Sequence, residues 1–185
     1  MTVLVSLFVA LALGIDALLM FRSCAEATPV RLSHGLVTAV VTALFSALMM
    51  WAGFLLAHLF SYMGDNGNAT VIYMGFFLFV VVKLLIAHRR NSDTPAFDIS
   101  QWGIVFQLAF LLSVNALFLG LGMGYLFRPL WTRAVALTLC ALSTFALSYW
   151  GIMLGRNKIA MRQQRWRVME VLLLLAAALL GLFIR

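Results

Sequence analysis

Six long apolar stretches, separated by short polar connectors, constrain this chain more than any other feature of its sequence. A bilayer hydrocarbon core is about 30 Å thick, and an α-helix of roughly 20 apolar residues crosses it. The stretches that approach this length are Val3–Phe21, Leu36–Phe60, Val71–His88, Trp102–Phe127, Ala134–Leu154 and Val168–Ile184. The sequence therefore predicts an all-α integral membrane protein with six transmembrane helices.

The composition supports the same class and excludes others. Of the 185 residues, 64% are hydrophobic and 10% are charged, whereas a soluble domain has about 45–50% apolar and about 25% charged residues. So few polar residues exclude a secreted disulfide scaffold, a disordered tail and nearly every cytosolic enzyme. Cys24 and Cys140 lie far apart and match no metal-ligand spacing. Because no nucleophile–base set, His cluster or carboxylate pair lies at one depth, we expect no enzymatic activity.

The basic residues lie mostly in the connectors, and their distribution predicts an orientation. The formal net charge is +7, from 13 Lys and Arg against 6 Asp and Glu. The connectors after the first, third and fifth stretches carry Arg22, Arg31, Arg89, Arg90, Arg156, Lys158, Arg162, Arg165 and Arg167. The opposite side carries only Arg128, Arg133 and Arg185. Because cytoplasmic loops are enriched in Lys and Arg, we predict that both termini face the outside, and we expect no nucleic-acid partner.

The two halves of the sequence resemble each other. The segment around Asp16 in the first stretch aligns with the segment around Asn115 in the fourth, and Ser46–Gly53 aligns with Thr144–Gly151. The predicted organisation is a first three-helix repeat at 1–88, a cytoplasmic linker at 89–101 and a second three-helix repeat at 102–185. Because three is odd, the repeats cross the membrane in opposite directions, an arrangement typical of transporters with a site near the midplane.

Four polar residues are predicted to lie within the apolar stretches. An ionised side chain at the centre of a membrane helix costs about 2.5–3.5 kcal/mol, so such residues point to function. Asp16 and Lys83 lie near the cytoplasmic ends of their stretches. Lys83 can extend to the headgroups, or it can pair with Asp16 and lock the helix packing. Glu170, in the first turn of the last stretch, suits a helix N-terminus, and Asn115 can join two helices by a hydrogen bond.

Two short motifs carry a resemblance to a known family. They are Gly14–Ala17 (GIDA) in the first stretch and Ser113–Ala116 (SVNA) in the fourth, and they are accompanied by Lys83 in the third stretch and Glu170 in the sixth. In these residues, and in the order of the stretches, the chain is similar to the MntP-type manganese exporters of the LysE transporter superfamily. The resemblance implies a six-helix exporter of the bacterial inner (plasma) membrane, whose inverted halves contribute acidic groups to a divalent-ion path.

The sequence departs from the family pattern at three places. Asn115 stands where the second motif of the family has Asp. Phe45–Ala47 occupies the region where the second span of the family carries an acidic residue, and Val80–Val82 replaces glycines beside the basic residue of the third span. Mn²⁺ prefers carboxylate, carbonyl and water oxygens. Asp16 is then the only carboxylate deep in the predicted bundle.

These residues lead to a functional hypothesis. We predict a secondary transporter that exports Mn²⁺ or a related cation through a site at the repeat interface, with Asp16 as the principal ligand. The predicted metal-site residues are Asp16, Asn115, Ser46 and Thr144, and the residues predicted for gating or charge balance are Lys83 and Glu170. Two alternatives stay open: a transport-inactive accessory or scaffold subunit, and an exporter of a small organic cation or amino acid.

The predicted partners follow from this hypothesis. They are the lipid bilayer and a divalent cation as cargo, and self-association into a homo-oligomer is left open. No permanently bound cofactor is expected, because Mn²⁺ would be the substrate.

Overall fold

The computed structural model describes residues 1–28, 31–63, 69–89, 97–126, 129–159 and 163–183. Within these ranges all regular secondary structure is α-helical, which confirms the predicted all-α class. The helices are α1 Thr2–Ala27, α2 Leu32–Met63, α3 Ala69–Arg89, α4 Trp102–Leu126, α5 Leu130–Arg156 and α6 Gln163–Leu182. Each contains or overlaps one predicted span, while Phe127 and Ile184 lie outside the described residues.

Four of these helices, α1, α2, α4 and α5, are long and apolar enough to cross a membrane. The apolar part of α3 is shorter, from Val71 to Ile86, and the first two turns of α6 contain Arg165 and Arg167. The outer surface is correspondingly apolar: Leu44 and Leu48 of α2, for example, are 57% and 59% exposed. Such a surface suits contact with acyl chains, and the protein is therefore a multi-pass membrane protein.

The main helix pairs each join one half of the chain to the other. The most extensive packing is between α1 and α5 and between α2 and α4. Further contacts join α1 to α6, α2 to α5, α3 to α4 and α3 to α6. The α1–α5 pair is parallel, because Ser143 Oγ donates a hydrogen bond of 2.7 Å to the Ala10 carbonyl while Gly151 lies against Leu18 farther along both helices.

Glycines allow these pairs to approach to backbone contact. A Cβ atom on Gly151 of α5 would lie 2.5 Å from the carbonyl oxygen of Leu18 in α1. A Cβ atom on Gly120 of α4 would lie 2.5 Å from the carbonyl oxygen of Met50 in α2. Small residues at helix crossings are the usual means of tight association in membranes, where no hydrophobic force drives helices together. These two crossings fix how α1 and α4, the helices that carry the GIDA and SVNA motifs, sit in the bundle.

The main apolar core surrounds the motif helices. It combines buried side chains of all six helices, among them Val9, Phe77, Leu119 and Leu174. A second cluster around Phe21 includes Ile99, whose carbonyl oxygen lies 2.7 Å from His34 Nε2. The segment before α4 is therefore held against α1 and α2, which fixes the starting point of α4.

Candidate functional site

A chain of two hydrogen bonds joins three helices inside the bundle. Lys83 Nζ on α3 donates to Asn115 Oδ1 on α4 at 2.6 Å. Asn115 Nδ2 in turn donates to Asp16 Oδ2 on α1 at 3.0 Å. The Asn115 amide is therefore a bridge between an ammonium group and a carboxylate group, and its side chain is only 5% exposed.

Small residues flank the polar side chains of both motifs. Asp16 lies between Gly14, which packs against Leu147 of α5, and the buried Ala17. Asn115 is followed by the fully buried Ala116. The side chains of Asp16 and Asn115 form a direct hydrogen bond between α1 and α4, while Gly14 allows α1 to pack closely against α5. Asp16 and Asn115, which align with each other in the two halves of the sequence, are therefore also in direct contact in the structure.

Glu170 adds a second buried carboxyl group. Its side chain is 4% exposed, and it lies within electrostatic range of Asp16 and of Arg167 on α6. Because α6 begins at Gln163, Glu170 lies about two turns inside the helix. The prediction that Glu170 occupies the first turn is therefore wrong, and Asp16 is not the only carboxylate group deep in the bundle.

Arg167 is a further candidate residue, which the sequence analysis did not assign to the site. It interacts electrostatically with both Asp16 and Glu170. Its position one turn before Glu170 on the same helix face was the available signal. We refer to the five residues Asp16, Lys83, Asn115, Arg167 and Glu170 as the ionic layer. When both carboxyl groups are ionised, the formal charges of this layer cancel.

The hydroxyl residues predicted for the site lie on other helices. Ser46 of α2 and Thr144 of α5 are buried. The Thr144 hydroxyl makes no hydrogen bond within 3.5 Å, although the Cys140 thiol lies beside it, and the buried Ser148 hydroxyl one turn later also has no partner. The structure therefore joins Asp16, Asn115 and Lys83 by hydrogen bonds. Glu170 lies within electrostatic range of Asp16, whereas Thr144 makes no hydrogen bond to any of these residues.

The donor set limits the chemistry of the ionic layer. Within the part of the chain that the structure describes, no three His, Cys, Asp or Glu side chains lie together in a way that could hold a metal ion. A divalent ion with oxygen ligands would need the carboxylate oxygens of Asp16, neutral amide or hydroxyl oxygens and water.

The fold and the ionic layer define a membrane protein with charged groups buried between its helices, as expected of a transport protein. A family model described as "Putative manganese efflux pump" (Mntp) matches residues 29–182. The chain belongs to this MntP family, which is a family of transporters and not of enzymes. The matched range includes Lys83, Asn115 and Glu170, while Asp16 precedes it. No curated protein and no solved structure gives a significant match.

Proposed function

We propose that this protein is a secondary transporter that exports a divalent cation, with Mn²⁺ as the leading cargo, through the ionic layer. The observation that carries the proposal is the Asn115 amide that joins Asp16 to Lys83 across three helices. Helix packing in a membrane does not require charged residues, and burying them is costly. Such a cost is reasonable where a cation must enter the bundle, so family membership and the ionic layer support the same function.

The proposed architecture is a pair of inverted repeats, 1–88 and 102–185, joined by the linker 89–101. The helix pairing supports it, because exchanging α1 with α4, α2 with α5 and α3 with α6 leaves the set of packed pairs unchanged. The close approaches support it as well. Gly151 of α5 lies against the Leu18 carbonyl of α1, and Gly53 of α2 lies against the Leu117 carbonyl of α4. Asp16 and Asn115 would then occupy equivalent positions at the interface of the repeats.

The proposed topology places both termini outside a bacterial inner membrane. We expect Leu130→Cys to react with a membrane-impermeant maleimide in intact cells, because Leu130 begins α5 on the proposed outer side and is 83% exposed. Ser100→Cys should react only after permeabilisation, since exposed Ser100 precedes α4 on the proposed cytoplasmic side. The wild type is the control, because Cys24 and Cys140 are both buried. The reverse labelling pattern would contradict the proposed orientation.

In the proposed transport cycle, the cation reaches the ionic layer from the cytoplasm. Asp16 supplies the principal ligand, the Asn115 amide supplies a neutral oxygen, and water completes the oxygen shell that Mn²⁺ prefers. Ser46 and the unpaired hydroxyls of Thr144 and Ser148 are proposed as further neutral oxygens along the path. Lys83 and Glu170 balance the charge of the layer while it is empty.

Uptake of Mn²⁺ into inside-out vesicles tests the proposal. Asp16→Asn should reduce uptake by at least about 10-fold, because the exchange removes a charged ligand while preserving the size of the side chain. Asp98→Asn is a matched control, since Asp98 lies outside the helices and its hydrogen bonds are local, with Ser100 and Gln101. Unchanged uptake by the Asp16→Asn protein would contradict the proposed site.

A second candidate cargo is a small organic ammonium ion. The observation that favours it is the 2.6 Å hydrogen bond from the Lys83 ammonium to Asn115, because it establishes that the amide accepts a primary ammonium group. Excess small primary amines or amino acids should then inhibit Mn²⁺ uptake, or be taken up themselves, in the same vesicles. Absence of flux for either class of cargo in the wild type would favour the accessory or scaffold role.

A further inference from the structure

Lys83 enters the ionic layer only with the end of its side chain. The residue as a whole is exposed, and its neighbours Val82 and Ile86 on α3 are 50% and 53% exposed. A lysine at such a position can extend its head group along the helix surface to the membrane interface. Here the ammonium group instead turns inward to Asn115 Oδ1. Since the stem lies at the edge of the bundle, the head group can leave without disturbing the core.

The orientation of the Asn115 amide depends on this lysine. With Lys83 bound, the amide oxygen of Asn115 faces the ammonium group and the amide nitrogen faces Asp16. An amide N–H group beside Asp16 repels a cation, whereas an amide oxygen would be a ligand. A cation bound by both Asp16 and Asn115 therefore requires Lys83 to leave and the amide to rotate by half a turn.

We propose that Lys83 is a tethered substitute for the cargo cation: its ammonium group occupies Asn115 while the carrier is empty and is displaced when cargo binds. This inference rests on the proposed transport function. It assigns Lys83 to one particular step, the return of the empty carrier after release, during which the ionic layer without the ammonium group would carry an excess negative charge in the membrane. When the protein exchanges one cargo ion for another, the carrier is loaded in both directions. It then never returns empty and does not need the ammonium group of Lys83.

The test compares two modes of transport in vesicles that contain the purified protein. Net uptake of labelled Mn²⁺ is measured in vesicles without internal Mn²⁺, and exchange is measured in vesicles preloaded with unlabelled Mn²⁺. Lys83→Gln is the main variant, because its amide can still donate a hydrogen bond to Asn115 but carries no charge. We expect net uptake to fall by at least about 10-fold and exchange to stay within about twofold of the wild type.

Two further variants separate the role of the charge from a structural role. Lys83→Arg keeps the positive charge and should recover net uptake, while Lys83→Met should repeat the selective loss seen with Lys83→Gln. Preserved exchange in the uncharged variants also establishes that they are folded. If the uncharged variants lose net uptake and exchange equally, or keep their net uptake, the proposed role of Lys83 in the empty return is overturned. Flux by the wild type would in that case still support the proposed transport function. Absence of flux from the wild type in both modes would instead overturn the proposed function and this inference with it.

Discussion

Gly151→Ala is expected to destabilise the protein by about 2–3 kcal/mol, a cost typical of overpacking a tight core. The added Cβ atom would lie 2.5 Å from the Leu18 carbonyl oxygen, and backbone atoms cannot move away unless α1 and α5 separate. Gly120→Ala should have a similar effect, because its Cβ atom would lie 2.5 Å from the Met50 carbonyl oxygen at the α2–α4 crossing. Denaturation in detergent micelles, followed by tryptophan fluorescence, measures the change in the free energy of unfolding.

The controls for this prediction are two glycines in open positions. A Cβ atom on Gly75 of α3 or Gly103 of α4 would meet no other atom within 4 Å. Since alanine is the better helix former, Gly75→Ala and Gly103→Ala should be neutral or stabilising by up to about 1 kcal/mol. If all four substitutions changed the stability by the same amount, close backbone contact at the two crossings would not be what holds these helix pairs together.

Asn115→Asp is expected to strengthen Mn²⁺ binding by at least about 10-fold, because it places a second carboxylate group beside Asp16. The new side chain has nearly the same shape, and Lys83 can still donate to it. The hydrogen bond from Asn115 Nδ2 to Asp16 is lost, however, and two carboxylate groups then face each other across about 3.0 Å. The empty variant should therefore be less stable than the wild type, and the Mn²⁺-bound variant should recover this loss.

The measurement is the shift in thermal midpoint caused by Mn²⁺, which grows with affinity for the folded state. Asn157→Asp provides the matched control, since Asn157 is exposed at the end of α5 and the substitution adds the same charge outside the ionic layer. A Mn²⁺-dependent shift no larger for Asn115→Asp than for Asn157→Asp would argue that the layer does not bind divalent ions and would favour the organic-ammonium cargo.

The positions of the helices could be predicted because hydropathy is a local property of the sequence. The end of α1 could not. The predicted span stops at Phe21, yet the helix continues to Ala27. Arg22 there is buried, donates to the Ile159 carbonyl at 3.1 Å and pairs with Glu26. This contact involves a residue beyond the end of α5, so only the folded structure reveals why a charged residue continues an apolar helix.

The part of the candidate site that could be predicted is the pair of residues that the alignment of the two halves matches. That alignment pairs Asp16 with Asn115, and the structure joins them by a hydrogen bond. The direction of the Lys83 side chain was not predictable. Whether its ammonium group extends to the headgroups or turns into the bundle depends on whether α4 places an acceptor, here Asn115 Oδ1, within reach. The unpaired Ser148 hydroxyl was missed for the same reason, since its surroundings depend on the packing of α5 against other helices.

The pairing of α1 with α5 and of α2 with α4 has a consequence for biosynthesis. When the first three helices have entered the bilayer, the surfaces of α1 and α2 that will carry the tightest contacts still face lipid, because α4 and α5 have not yet been synthesised. The early intermediate is therefore a set of loosely associated helices, and the ionic residues Asp16 and Lys83 lack the Asn115 bridge at that stage. Packing between elements distant in sequence is slow to form. The contact between α1 and α5 can form only after all but the last helix have been inserted.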